Sequence, residues 1–166
     1  MSDVRRRIES HVRDDPGIHF NELQRELDLA AGQTQYHVRQ LLDRGAIAAE
    51  ELFGRTHYYP PTYGEWERRA LALLRRETSA ELIATLLDGG PTRPVDLAES
   101  VGIARSTLAW HADRLVEADL VEKRHDGHLL AITDEARTAE LLAAADPTLP
   151  ERLVDRFTRL VDALLE

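Results

Sequence analysis

Apolar positions recur along the chain at helical spacing, broken at intervals by turn residues and by short alternating runs. Ile8 and Val12, four residues apart, mark a first helix over about 3–14. "DDPGI" (14–18) turns the chain, and "NELQREL" (21–27) reads as a short second helix, with Asn21 as its expected N-cap. A third helix is expected over 31–44, stopped by Gly45. Two extended runs follow, "AIAAEELFGRTHYYP", with Phe53-Gly54 at the hairpin tip.

The same order then returns. A shift of 74 residues, without a gap, lays Leu82 and Leu86 on Ile8 and Val12, and Leu97, Val101 and Ile103 on Leu23, Leu27 and Leu29. It lays Ala104 on Ala30; Ala112, Leu115 and Val116 on Val38, Leu41 and Leu42; and Leu120-Val121 on Ala46-Ile47. The apolar skeleton persists while the polar residues change, as expected of two copies of one packed unit. The second copy predicts helices over 79–88, 95–101 and 105–118, and a hairpin in "LVEKRHDGHLLAIT" with Asp126-Gly127 at its tip. Helix, helix, turn, helix and β-hairpin make a winged helix-turn-helix. The expected fold class is therefore mainly α with small β wings, as two tandem winged helix-turn-helix domains and a C-terminal helical tail. The expected boundaries are 1–61, 62–133 and 134–166.

The third helix of such a unit enters the DNA major groove. At about 100° per residue, Val38 and Leu41 fall within about 40° of Thr34 and form its inward stripe. Gln33, Tyr36, Arg39 and Gln40 face the other way, and Gln35 adds a second amide near the helix start. Glutamine can pair with adenine, and arginine grips guanine or phosphate. In the second copy Leu108, Ala112 and Leu115 turn inward, and Ser106, Thr107, Trp110, Asp113 and Arg114 turn outward, with Arg105 opening the helix. Asp113 and Glu117 oppose DNA on that face, so the first unit is the better candidate reader.

One dipeptide is conspicuous: Tyr36-His37 returns as Trp110-His111. Both histidines border the buried stripe. They suit either a half-buried imidazole bonded to a backbone carbonyl or a phosphate contact. Tyr36 is assigned to DNA; Trp110 suits DNA or packing between the units. On the wings, Arg55 and His57 flank the first tip, while Lys123, Arg124 and His125 make the second the more basic. Wing cations hold phosphates and set affinity rather than sequence. "HDGH" (125–128) is too small a set to be expected to bind metal, and no metal or cofactor is expected.

The stretch "PGIHFNELQRELDLAAGQTQYHVRQLLDRGAI" is similar to the first domain of archaeal tandem winged-helix transcriptional regulators. "LAESVGIARSTLAWHADRLVEADLVEK" resembles their second domain and, more loosely, arsenic-repressor and multiple-antibiotic-resistance type repressors. The shared pattern is L-x-x-x-[LV]-x-[LI]-A, then aromatic-His, then leucine four residues after the histidine. It covers residues 1–133 and identifies the fold better than the target. The resemblance implies sequence-specific binding of double-stranded DNA. Two departures stand out: alanine replaces the serine caps usual in that family at Ala30 and Ala104, and Gly32 sits in the first turn of the third helix.

Composition refines this picture. Acidic residues number 30 against 21 basic ones, a net charge of −9, and lysine occurs once, at Lys123. That balance resembles proteins of salt-loving archaea, although a GC-rich genome would also favour arginine over lysine. Net negative charge ordinarily opposes nucleic-acid binding. Here it is graded: −2 over 1–60, −3 over 61–133 and −4 over 134–166, away from the expected DNA face. There is no cysteine, which excludes disulfides and thiolate metal sites. No long apolar run marks a membrane span or a secretory signal, so a cytoplasmic protein without membrane partners is expected.

"EWERRALALLRRE" (65–77) is expected as a connector helix after the stiff "YYPPTYG". In the tail, Leu153, Phe157, Leu160, Val161, Leu164 and Leu165 form an apolar stripe that must bury against the second unit or a second chain, and a homodimer contact is expected. No phosphate loop, nucleophile motif or metal triad is visible, so no enzyme is expected. The alternative reading is a winged-helix protein-interaction module in a transcription or chromosome-maintenance complex; RNA binding has no stacking sheet to support it. Neither the promoter, the sign of regulation nor a small effector is named by the sequence.

Overall fold

The computed structural model describes residues 2–145, and the chain divides into two compact units, 1–72 and from Leu73 onward. The proposed dimer stripe, Leu153, Phe157, Leu160, Val161 and Leu164, with Leu165, lies outside the described residues. Among the described residues there are eight helices and two small antiparallel sheets. None of these helices is long and apolar enough to cross a membrane.

The first unit runs α1 (Asp3–Asp14), β1 (Ile18–His19), α2 (Phe20–Leu27), α3 (Ala31–Asp43), β2 (Ala48–Leu52), β3 (Arg55–Tyr59) and α4 (Glu65–Leu74), whose last two residues fall in the second. Ile8 and Val12 of α1, Leu23 of α2, and Val38 and Leu41 of α3 close on one another in its core, with Ile18, Ile47 and Tyr58. The wing β2–β3 turns through Phe53 and Gly54, both at positive φ, as the two-residue turn requires.

The second unit runs α5 (Glu77–Gly89), α6 (Pro94–Val101), α7 (Arg105–Glu117), β4 (Val121–Arg124), β5 (Leu129–Ile132) and α8 (Glu135–Ala145). Leu82, Leu86, Leu97, Ala112 and Leu115, the repeat partners of the first core, are all buried. The Asp134 carboxylate accepts the Arg137 amide at the start of α8, and α8 packs on α5 with Thr138, Leu141 and Leu142 buried. The first part of the expected tail thus belongs to this unit.

Three local expectations need correction. Asn21 is not the N-cap of α2. His19 is, in extended conformation, with its Nδ1 accepting the Glu22 amide at 3.4 Å. The connector helix ends at Leu74 instead of 77, and α5 begins two residues before 79. The first sheet has a third strand: β1 pairs with β3 at Ile18–Tyr58 and His19–His57. Two residues are too short a run for alternation to reveal.

The repeat extends to backbone conformations invisible in the apolar pattern. Each unit needs a left-handed residue after its second helix and another after its third. Asp28 (φ 53°) and Gly102 (φ 79°) fill the first position; Gly45 (φ 69°) and Asp119 (φ 59°) fill the second. In each, the following amide returns to the helix: Leu29 to Gln24, Ile103 to Ala98, Ala46 to Leu41 and Leu120 to Leu115. A left-handed conformation costs a non-glycine residue about 1 kcal/mol. The units have each placed glycine at a different one of the two sites.

Asp28→Gly and Asp119→Gly should each stabilise the protein by about 0.5–1 kcal/mol. Gly45→Ala and Gly102→Ala should each destabilise it by about 1 kcal/mol. A Cβ at either glycine meets nothing within 4 Å, so the cost is conformational rather than steric. Denaturant unfolding of the four variants measures both signs.

Candidate nucleic-acid interface

Helix α3 buries Thr34, Val38 and Leu41, as its spacing predicts. The Thr34 hydroxyl, fully buried, donates to the Ala30 carbonyl at 2.9 Å, so a polar side chain sits in the stripe at no hydrogen-bonding cost. On the opposite side Gln33, Gln35, Tyr36 and Arg39 are exposed, with Gln40 half-buried. Neither Ala30 nor Ala104 offers a side-chain cap, so the amides of the first turns of α3 and α7 are left for another acceptor.

A groove of about 400 Å³ runs between α3, the start of α2 and the first wing. His19, Asn21, Gln35, Arg55 and Thr56 give it polar walls, with Val38 at its base. His19 Nε2 lies 2.7 Å from a Glu22 carboxylate oxygen and 3.4 Å from Arg55 Nη1, which sets the wing arginine beside the amide-bearing helices. His19 and Asn21 were not singled out as interface residues from the sequence. The available signal was that the position before each second helix is basic, His19 and Arg93.

His57 is a correction. Expected on the wing surface against phosphate, it is 6% exposed, with Nδ1 2.7 Å from the Gly17 carbonyl oxygen. Tyr58 joins the core on one face of β3, and on the other Tyr59 packs on Tyr63 and donates to the Arg68 carbonyl of α4 at 2.6 Å, so the run His57-Tyr58-Tyr59 is buried on consecutive positions and loses the one-sided alternation of an edge strand. His57 fastens the wing to the turn before α2. Arg55 alone of the expected pair is exposed.

In the second unit Arg105, Ser106 and Thr107 open α7 in full exposure, and Leu108, Ala112 and Leu115 form its buried stripe. The Arg114 guanidinium stacks 3.8 Å over the Trp110 ring and donates to the Trp110 carbonyl at 3.3 Å. Lys123 reaches Asp113 at 3.8 Å and Arg124 holds Glu122 at 2.7 Å; His125 is exposed at the tip. The basic wing is thus partly neutralised by its own neighbours. A second groove, of about 450 Å³, lies between α7, the start of α6 and this wing.

The repeated aromatic-histidine pair is an edge-to-face contact in both units, 5.2 Å between centroids for Tyr36–His37 and 4.9 Å for Trp110–His111. Tyr36 and Trp110 are 59% and 45% exposed, the histidines half-buried beneath them. His37 Nδ1 is buried without a hydrogen-bond partner among the described residues, so the carbonyl bond expected of it is not made through that atom. The imidazole braces the aromatic ring against the helix face.

Residues 2–71 match the family model of an N-terminal HTH domain, and residues 75–122 match that of a winged helix-turn-helix, DNA-binding. The chain carries two helix-turn-helix domains in tandem. It is 25% identical over 130 residues to an uncharacterized HTH-type transcriptional regulator of Methanocaldococcus jannaschii, covering 77% of this chain. The chain spans only 32% of that relative's length. Among solved structures, it is similar to the mRNA-binding domain of elongation factor SelB from E. coli in complex with SECIS RNA. That match has 16% identity and a TM-score of 0.33, over 81% of this chain and 100% of the other.

Burial lowers the His111 pKa below the ordinary 6.5, and the positive charges of Arg76 and Arg114 lower it further. The folded protein therefore prefers neutral His111. Above pH 6.5 both states leave it unprotonated and stability is unaffected. As pH falls through 6.5, the unfolded chain takes up the proton more readily and stability is lost. NMR titration should place the His111 midpoint below 6.5, and His111→Gln should flatten the acid limb of the unfolding profile.

Proposed function

We propose that the chain is a sequence-specific, double-stranded-DNA-binding transcriptional regulator that reads through α3 and α7 and their wings. The observation that carries this is the exposed set on α3. Gln33, Gln35, Tyr36 and Arg39 stand out from the face opposite the buried stripe, beside a wing arginine. Bidentate amides and guanidinium match the hydrogen-bonding edges of the major groove. The tandem helix-turn-helix assignment and the likeness to an archaeal HTH-type transcriptional regulator support the reading and favour a non-enzymatic role.

On α7, Arg105, Ser106, Thr107, Trp110 and Arg114 are the corresponding contacts, with Lys123, Arg124 and His125 against phosphate; His37 and His111 act by bracing the aromatic rings. We place the protein in the cytoplasm as a homodimer joined through Leu153, Phe157, Leu160, Val161 and Leu164, matching palindromic sites. In a salty cytoplasm counterion release would supply little drive, and base contacts would carry more of the affinity.

Selection of random duplex DNA by the purified protein, in low salt and in molar potassium chloride, should enrich one motif, two-fold symmetric if the dimer forms. Arg39→Ala and Gln33→Ala should each weaken binding to it about 5- to 150-fold, with relaxed preference at single positions. Undiminished binding by both variants removes α3 as the reader. No enrichment at either salt transfers the assignment to a protein-interaction module.

A further inference from the structure

The two grooves occupy the same place in the repeat. His19, Asn21, Ala31 and Gln35 line the first, and Arg93, Val95, Arg105 and Ala109, each 74 residues on, line the second. The backbone frame is shared and the chemistry is inverted. Two amides, Asn21 and Gln35, become the aliphatic Val95 and Ala109. Neutral Ala31 becomes Arg105, and His19 becomes Arg93.

The second groove therefore has an aliphatic floor, formed by Val95 and Ala109 over the buried Leu108 and Leu130. Around that floor stand Arg93, Arg105, Lys123 and His128, with one carboxylate, Asp113. Arg93 pairs with Asp96 at 2.8 Å and Lys123 with Asp113 at 3.8 Å; Arg105 makes no ion pair among the described residues. Ala109 is exposed in the middle of this surface. A floor without donors or acceptors cannot read the hydrogen-bonding edges of bases. Of the features on the major-groove edge, one is apolar, the C5 methyl of thymine. The rim supplies the opposite charge to phosphates on either side.

Resting on the DNA-binding reading above, we infer that the second unit reads thymine methyl groups through Val95 and Ala109, with Arg93, Arg105 and Lys123 on the flanking phosphates. The first unit reads its bases by hydrogen bonds through Asn21 and Gln35. The recognised site is then chemically asymmetric within each chain, with methyl contacts confined to the part that lies under the second groove.

The test uses the full chain and the duplex motif obtained by selection. Each thymine is replaced in turn by deoxyuridine, which removes the methyl and leaves every hydrogen bond intact. Removal of a contacted methyl should weaken binding about three- to fivefold, the value of one buried methyl group. That loss should occur at a cluster of thymines in one part of the motif. Ala109→Gln, an exposed substitution that restores the first unit's residue, should abolish the sensitivity there and move the preference toward adenine. Gln35→Ala should leave the methyl sensitivity in place and relax the other part.

Full affinity for a duplex with every thymine replaced overturns the inference while DNA binding stands. So does methyl sensitivity that survives Ala109→Gln. Saturable binding of benzoate in the second groove, seen as shifts of the Val95 and Ala109 methyl signals without any effect of deoxyuridine, overturns it in favour of an organic-anion pocket. Failure to enrich any duplex overturns the DNA-binding reading itself, and the inference with it.

Discussion

Burial of a three-residue stripe on each third helix is the constraint on which the rest of the molecule depends. Thr34, Val38 and Leu41 in one unit, and Leu108, Ala112 and Leu115 in the other, give each helix a single rotational setting about its axis. Once that setting is fixed, the residues on the far side are displayed by default. Gln33, Tyr36 and Arg39 need no partner of their own to be held outward. Thr34 shows how narrow the tolerance is, since its hydroxyl can be buried only because the Ala30 carbonyl lies one helical turn behind it.

Much of this was legible in the sequence because it rests on periodicity. The gap-free 74-residue shift, the helix spans, the hairpin tips and the stop at Gly45 all follow from spacing and turn chemistry. What was hidden depends on contacts distant along the chain. His57 read as a wing cation because its strand looked like an edge; β1, forty residues earlier, turns that edge into an interior. His19 was overlooked because Asn21 is the better capping residue by type, yet pairing with β3 holds His19 extended and lets Phe20 begin the helix. The break after Leu74 falls in a run, Ala70 to Leu74, that is buried on all sides and so carries no facial pattern to mark its end.

Charge illustrates the difference between a total and a placement. A chain of net charge −9 has an unfavourable overall field for DNA. Five of its exposed cations, Arg39, Arg55, Arg105, Lys123 and Arg124, nevertheless stand on α3, α7 and the wings. In the second unit several are held by carboxylates, Lys123 by Asp113 and Arg124 by Glu122. Such pairs are solvent-exposed and worth little in stability, but they offset part of the positive charge of the second wing. Any phosphate must compete with an internal carboxylate, which trades raw attraction for geometry.

The two wings also differ in how they are moored. The first is tied by β1 and by the His57–Gly17 bond. The second is joined to the segment before α6 by a single bridge, the paired amides and carbonyls of Thr92 and Leu130. At its base the Thr133 hydroxyl donates to the Asp119 carbonyl and the Thr133 amide to Leu120, and Lys123 reaches Asp113 of α7. The first wing thus hangs on the turn before its second helix through strand pairing, and the second on the helix it follows, so a substitution that moves one wing has no equivalent position for moving the other.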